Sequence, residues 1–350
     1  MNGSGATRWC ALPAAIGPEE LAAWCPAVAS PVAVTGATGF VGTHVVAALI
    51  EAGVRPRLLV RDASRLAEGH GAGADVVRGV LDDPGALGEL VAGCGTVIHL
   101  AGLVRAESAA RFDWVNRAGT ENLVAALAAR APAARLVHVS SLAAVGPCQE
   151  PEGSAPEDEP HPISAYGRSK LAGEAAARVH AGPWVILRPP AVYGPRDIDV
   201  LHFFRMASRG LVPIPGGDRW VSVAYVADVV RGILAAAAGG ADGRVFHLGE
   251  PKPMAMPDLV RALAASGGLR ARVVEVPGAV IRVLGLGGDL LQKFGMRRIA
   301  LTSDKARELL ARHWSARTAA SLAALGLPGF VPLAAGAATT WAWYRRHGWI

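Results

Sequence analysis

Cysteine is scarce in this chain. The four that occur, at positions 10, 25, 94 and 148, form no CxxC pair, so neither a thiolate zinc site nor a dithiol redox centre is supported. A disulfide framework is equally unexpected in a chain long enough to bury a large core. Free thiols in a reducing cytoplasm are the expectation. The ten histidines show no HxH or HExxH pattern, which argues against a metal. Charged residues are only 18% against 51% apolar, the reverse of the balance that keeps a chain disordered. Glycine and proline, 42 and 24, follow no G-X-Y period, which excludes collagen. The N-terminus lacks a basic stretch followed by an apolar one and does not read as a standard secretory signal. The net charge of +6 comes from scattered Lys and Arg, which points to an anionic small-molecule ligand rather than nucleic acid.

Long uninterrupted apolar runs are also missing. Ala319–Tyr344 carries no charge and is long enough to span a bilayer. Glycine or proline at 326, 328, 329, 332 and 336 breaks it, which predicts a short helix, a loop and a second helix. Val276–Leu291 is apolar with Arg282 and Asp289 inside, and reads as a packed or interfacial helix. No membrane span is expected; peripheral membrane contact stays open. The tryptophans are spread along the chain, as core or subunit contacts rather than a stacking platform.

What is present is alternation. Short apolar runs at Pro31–Thr35, Arg57–Val60, Val76–Val80, Thr96–Leu100, Arg135–Ser140 and Trp184–Arg188 alternate with helical patterns at Thr43–Ala52, Asp83–Ala92, Asn116–Arg130 and Gly167–His180. That predicts an α/β fold, a doubly wound parallel sheet of Rossmann type with right-handed crossovers. Residues 1–30 read as an N-terminal extension, with a short helix at Pro18–Trp24. Residues 31–188 form the nucleotide-binding domain. Beyond Pro189 the alternation weakens, so 189–219 and 249–350 are assigned to a smaller C-terminal substrate lobe. A helix at Val229–Ala238 and a strand at Arg244–Leu248 bring 220–248 back to the sheet.

At the first strand-to-helix turn stands Thr35-Gly36-Ala37-Thr38-Gly39-Phe40-Val41-Gly42. A pyrophosphate needs close backbone approach, free N–H donors and a helix N-terminus aimed at it, and this turn can supply all three. The spacing is GxxGxxG rather than GxGxxG; the flanking strand and helix are the context the motif requires. A tight turn that serves packing only is the competing account. At the end of the second strand, Val60-Arg61-Asp62 puts an arginine where a 2′-phosphate would need one. NADP is therefore preferred over NAD, unless Arg61 is merely paired with Asp62.

Tyr166-Gly167-Arg168-Ser169-Lys170 sets a phenol and an ammonium at i and i+4, one above the other on a helix. A nearby ammonium is expected to lower the phenol's pKa, and such a phenol can exchange a proton with a carbonyl or hydroxyl. Ser140-Ser141 ends the fifth strand, at the edge where a parallel sheet presents its ligands.

The motifs TGATGFVG (35–42), VIHLAG (97–102), VNRAGTENLVAAL (115–127), VSSLAAVG (139–146), YGRSK (166–170), RPPAVYGPRD (188–197) and VAYVADVV (223–230) occur in the order found in extended short-chain dehydrogenase/reductases. The chain resembles that group, in particular its NAD-dependent epimerase/dehydratase and 3β-hydroxysteroid dehydrogenase-like members, over about 31–250. The resemblance implies Tyr166 as general acid/base, Lys170 as its tuner and a ligand of the nicotinamide ribose, Ser141 as holder of the substrate oxygen, and Asn116 as organiser of the site. It implies cofactor contacts from Gly36, Thr38, Gly39, Phe40, Val41, Gly42, Arg61, Val80, Leu81, Leu100, Ala101, Gly102, Pro189, Ala191 and Val192 as well as Tyr166 and Lys170. It also implies a homodimer. On the residues alone, Asn116 could equally be a helix cap. Many sugar-nucleotide members carry an arginine at the position held here by Val221, with Arg219 two residues further back.

The expected function is hydride transfer between a nicotinamide cofactor and a ketone/secondary alcohol pair on a hydrophobic, sterol-like or lipid substrate. A nucleotide-sugar epimerase or dehydratase with tightly held NAD is the alternative. A non-catalytic NADP-binding sensor or scaffold is a third.

Overall fold

The computed structural model describes residues 27–294, 301–327 and 329–350; the short helix expected at Pro18–Trp24 lies outside them. In chain order the first half runs β1 (Val32–Thr35), α1 (Phe40–Glu51), β2 (Arg57–Val60), β3 (Asp75–Arg78), α2 (Pro84–Val91), β4 (Thr96–His99), α3 (Ala109–Asp113), α4 (Gly119–Arg130), β5 (Arg135–Val139), α5 (Ala165–Arg178) and β6 (Trp184–Arg188). The second half runs β7 (Ala191–Tyr193), α6 (Leu201–Ser208), β8 (Leu211–Pro215), β9 (Trp220–Val221), β10 (Val223–Tyr225), α7 (Val226–Ala238), β11 (Arg244–His247), β12 (Met254–Ala255), α8 (Met256–Ser266), β13 (Arg272–Val276), α9 (Gly278–Lys293), α10 (Ser303–Leu310), β14 (His313–Trp314), α11 (Ala319–Ala324) and α12 (Leu333–Arg346).

Seven strands form one sheet in the order β3-β2-β1-β4-β5-β6-β11, and every neighbouring pair is parallel. All four residues of β1 are buried, as a strand covered on both faces must be. Alternate side chains feed two cores. Val34, Ile98 and Val137 pack on one face with α1, α7 and the C-terminal helices. Ala33, Val97 and Leu136 pack on the other with α2 and α4. The strand order reverses between β1 and β4, so a crevice opens there above the carboxyl ends of the strands. The strand expected at Arg244–Leu248 does return to the sheet: β11 pairs with β6, His247 opposite Arg188.

The differences from the sequence pattern sit at element ends and have local causes. Helix α1 starts at Phe40 because Gly39, with an extended backbone, takes the N-cap position. Helix α5 starts at Ala165 because the Ser164 hydroxyl accepts the Gly167 amide at 3.1 Å. The helix expected from Asn116 begins earlier still. Ser108 caps α3, and a π-helical turn at Trp114–Ala118 joins it to α4.

Past β6 the elements are shorter. The pairs β7–β10 and β8–β13 and the triplet β12-β9-β14 stand apart from the main sheet. The uncharged run divides, as its glycines and prolines require, into α11 and α12. Trp341 and Tyr344 of α12 are buried against Phe204 of α6. Among the described residues no helix is long and apolar enough to cross a membrane.

Candidate active site

The three glycines of the first turn have different jobs. Gly36 has φ +77°, and a Cβ there would lie 2.6 Å from the Ala101 nitrogen; a Cβ on Gly42 would lie 2.1 Å from the Gly36 carbonyl oxygen. Packing alone demands both. Gly39 is exposed, and the nearest atom to its missing Cβ is the Gly36 oxygen at 3.2 Å. No side chain caps α1. Its first amide with an intrahelical partner is Thr43, bonded to the Gly39 oxygen at 2.9 Å. The amides of Phe40, Val41 and Gly42 are therefore left free, as in any uncapped first turn. Free donors, the positive end of the helix dipole and an open glycine make an anion cradle. Thr38 is half-buried on its lip. A dinucleotide pyrophosphate fits this exposed, uncapped turn.

At the β2 end of the crevice Arg61 is exposed. Asp62 does not pair with it: its carboxylate accepts the Ser64 hydroxyl at 2.7 Å and the Ser64 amide at 3.0 Å. Those two bonds hold Asp62 below the usual carboxylate range. Arg61 has no ion pair among the described residues. Val80 is exposed and Leu81 half-buried. Leu81 closes over Gly119, where a Cβ would lie 2.7 Å from its Cδ1, and its carbonyl accepts Asn122 Nδ2 at 2.9 Å.

At the switch point Leu100 and Ala101 are tied back to Thr35, through its carbonyl and hydroxyl, each at 3.2 Å. Gly102 marks where three elements meet. A Cβ there would lie 3.0 Å from Asn116 Oδ1 and 3.8 Å from Lys170 Nζ. Asn116 is buried in the π turn and is no helix cap. Its Oδ1 accepts the Leu103 amide at 2.8 Å; its Nδ2 donates to the Leu103 carbonyl at 3.0 Å and to Ser169 Oγ at 2.8 Å. It clamps the loop after β4 to α5, at a kind of helical irregularity often found at functional sites.

The structure brings Ser141, Tyr166 and Lys170 together. The Tyr166 and Ser141 hydroxyls are hydrogen-bonded. Ser141 also caps a short 3₁₀ turn, accepting the Ala143 amide at 3.2 Å. Lys170 is buried and donates to the Val139 carbonyl at 2.8 Å. Burial brings its pKa down to about 8, against the pull of Glu174. The expected lowering of the phenol is not found. Burial pushes Tyr166 up to about 12, the Ser141 bond pulls back, and the Glu308 and Asp199 carboxylates push further up. Desolvation is the largest influence, so the free enzyme holds Tyr166 as a proton-bearing phenol.

Beneath this group lies a buried ion pair. Ser140 Oγ donates to Glu174 Oε1 at 2.6 Å, and Arg188 grips the same carboxylate through Nε at 2.8 Å and Nη2 at 2.7 Å. Both partners are fully buried. Of the serine pair, Ser140 thus serves this ion pair and Ser141 the phenol. Arg188 faces Glu174, while the backbone after it forms the wall: the Pro189 carbonyl accepts the Leu142 amide at 2.8 Å, Ala191 is exposed and Val192 half-buried. The His99 and His138 rings lie 5.2 Å apart, tilted at 38°, both held neutral by burial with Lys170's charge adding to the effect.

Helix α10 closes the site from the C-terminal part of the chain. Asp304 accepts the Ala165 amide at the start of α5 at 3.0 Å. On the opposite lip Arg105 and Asp199 form an ion pair. Glu174 is legible in hindsight, one turn past Lys170 on the same helical face; Asp304, Glu308 and Asp199 arrive through tertiary folding and leave no local signal.

The NAD-dependent epimerase/dehydratase family model matches residues 32–249. The chain is 35% identical to a ceramide reductase of Caulobacter vibrioides, covering 91% of this chain and 96% of that protein. It is 29% identical to the 4-hydroxy-2-methyl-3-oxo-4-farnesyl-3,4-dihydroquinoline-1-oxide ketoreductase of Stigmatella aurantiaca, covering 79% and 90%. Among solved structures it superposes on MoeE5 in complex with UDP-glucose and NAD with a TM-score of 0.70, at 25% identity, covering 91% of this chain and 99% of that one.

Proposed function

Because the chain belongs to the NAD-dependent epimerase/dehydratase family, we propose that it is a nicotinamide-dependent ketone reductase whose substrate carries its carbonyl on a lipid-like, apolar molecule. The observation that carries this reading is the protonated Tyr166 phenol, hydrogen-bonded to Ser141 beside the buried Lys170. The phenol carries its proton in the free enzyme and stands where it can pass it to a carbonyl oxygen, as reduction requires.

The cofactor would lie in the crevice, its pyrophosphate on the free amides of Phe40, Val41 and Gly42 and its adenosine end against Val80, Leu81 and Arg61. Leu100, Ala101 and Gly102 form one wall, and Pro189, Ala191 and Val192 the other. When bound, NADPH or NADH supplies the hydride. The chain's own residues do the rest. Ser141 Oγ holds the carbonyl oxygen. The Tyr166 hydroxyl donates the proton to that oxygen as it becomes a hydroxyl. Lys170, fixed by the Val139 carbonyl, limits the charge that then builds on the tyrosine oxygen. Asn116 holds the loop wall at Leu103 in register with α5. Residues 31–188 with 220–248 would bind the cofactor, and 189–219 with 249–350 the substrate. With Arg61 free, NADP is favoured.

The substrate class rests on two supports. The two relatives are named for reduction of molecules with long apolar parts. Arg219, the cation nearest the position where sugar-nucleotide enzymes place an arginine, is spent elsewhere: its Nη1 donates to the carbonyls of Leu310 and Ala311 at 2.7 and 2.5 Å, closing the end of α10. A diphosphate would have to break that cap. The likeness to MoeE5 favours the second reading, a nucleotide-sugar enzyme. A cofactor-oxidation screen across long-chain ketones and nucleotide sugars, with NADH and NADPH in parallel, separates them. Turnover of an apolar ketone with exchangeable cofactor is expected. Stoichiometric NAD in the purified protein together with conversion of a nucleotide sugar would overturn the proposal.

A further inference from the structure

Helix α9 is two-faced. Its inner face is small and fixed. Ile281 is buried; a Cβ on Gly285 would lie 2.9 Å from Ala306 Cβ; Asp289 Oδ1 accepts the Ser303 amide at 3.0 Å. These residues recur at helical spacing and seat α9 on α10. Every large residue on the opposite arc is apolar and points outward. Val283, Leu284, Leu286, Leu290, Leu291 and Phe294 are all exposed, Val283 at 66%, Leu286 at 64% and Phe294 at 78%. Among the described residues this is the densest group of exposed large hydrophobics, far from the scattered single residues of an ordinary surface. A packed core helix would not present these residues to water, and a solvated one would carry charge on this face.

We propose that α9 is a docking helix for an anionic lipid bilayer, lying in the interface with this face immersed. The charge pattern selects that occupant. Arg282 is exposed and, at helical spacing, stands at the border of the apolar arc, beside Leu286. In sequence Arg297 and Arg298 follow. The one acid of the helix, Asp289, is engaged with Ser303. An apolar face with an exposed cation at its border and no free acid on the helix suits an interfacial helix at acidic headgroups. A second copy of the chain is less suited. Sixteen helical residues offer a strip of roughly 24 by 10 Å, about 240 Å², against the roughly 800 Å² per partner of a stable interface. The placement has a use: α10 links α9 to the start of α5, where Asp304 holds Ala165 next to Tyr166. Immersion of α9 would set the mouth of the site at the level of the acyl chains.

The test is flotation of the full chain with vesicles of phosphatidylcholine alone and of phosphatidylcholine with phosphatidylglycerol. Binding to the anionic vesicles is expected, with at least a tenfold preference over the neutral ones. Leu286→Glu combined with Leu290→Glu should abolish it, while circular dichroism and nicotinamide binding stay as in the parent. Arg282→Ala should weaken it about fivefold, the effect of one basic residue near such a surface. No flotation of the parent, or undiminished flotation of the double variant, overturns the proposal. So does a parent dimer that the double variant converts to monomer without any vesicle binding, which would assign the face to a second copy. So does flotation that emerges only after deletion of residues 1–26, which would assign it to the chain's own N-terminal segment. The assay needs no turnover, so a failed substrate screen leaves the proposal standing.

Discussion

The two ends of the crevice are built on opposite plans. At the β2 end the group that would meet the cofactor, Arg61, stands exposed with no ion pair among the described residues, beside an Asp62 occupied by Ser64. At the β5 end the groups of the chemistry are bonded inside the fold: Lys170 to Val139, Glu174 to Ser140 and Arg188, Tyr166 to Ser141. The chemical end is continuous with the core, so its geometry is paid for by the fold. The recognition end is an attachment to the surface, and it can change without disturbing anything beneath. Substitutions at the two ends should therefore separate activity, stability and cofactor choice.

The largest effect belongs to Tyr166→Phe. The ring and its contact with Phe112, 5.8 Å between centroids, survive; only the proton donor goes. Ketone reduction should fall on the order of a thousandfold, about 4 kcal/mol of transition-state stabilisation, with cofactor binding by fluorescence unchanged. An unchanged rate would place the proton transfer elsewhere.

Next is Glu174→Ala, which strands Arg188 in the core without its counter-ion. Breaking one side of a buried pair costs about 3 kcal/mol, read as a lower denaturant midpoint. Because Ser140 and the end of β5 move with it, kcat should drop as well. A variant as stable as the parent would mean that the pair adds nothing the core could not supply.

Buried histidines at both ends of the crevice give the fold a pH dependence. Burial holds His44 and His247 at about 4 and His99 at about 3. The unfolded chain takes those protons near pH 6.5, and the folded one does not. Between about pH 6.5 and 4 the unfolded state binds more protons, so stability rises with pH across that window and is lost as pH falls. Neither ring nitrogen of His138 has a partner, and burial lowers its pKa too. His138→Leu should raise the melting temperature at pH 5 by a few degrees more than at pH 7.5, worth roughly 1–2 kcal/mol. Equal shifts at both pH values would show that packing, not protonation, governs the site.

The same contrast explains how much could be read from the sequence. The sheet was legible because strands covered on both faces are short apolar runs, and Trp184–Arg188 is found with the bounds its pattern predicts. The glycine turn was legible because the backbone approach at Gly36 and Gly42 admits no side chain. Tyr166 and Lys170 were legible because one helical turn sets them together. What could not be read is what tertiary folding adds. The π turn around Asn116 depends on contacts with Leu103 and Ser169, 13 and 53 residues away. The direction of the Tyr166 shift was misjudged because spacing reveals a neighbouring charge but not the loss of water, and here the loss of water is the larger effect. Helix α9 was read as apolar from its composition, yet only the fold shows which face α10 takes and which it leaves.

The smallest effect should come from the exposed end. Arg61→Ser removes a cation without an ion pair among the described residues, so the stability should stay within about 0.5 kcal/mol of the parent. If Arg61 receives a 2′-phosphate, the KM for NADPH should rise about fivefold to tenfold, roughly 1 kcal/mol for one exposed charge–phosphate contact, while the KM for NADH stays put. The effect should shrink with added salt, since nothing shields an exposed pair from the Debye atmosphere. Equal losses for both cofactors would mean that Arg61 steers anions in general. No loss for either would move the choice to the neighbouring Arg65 and Arg78, whose charges already act on Asp62, and the double variant at those two positions would then carry the preference.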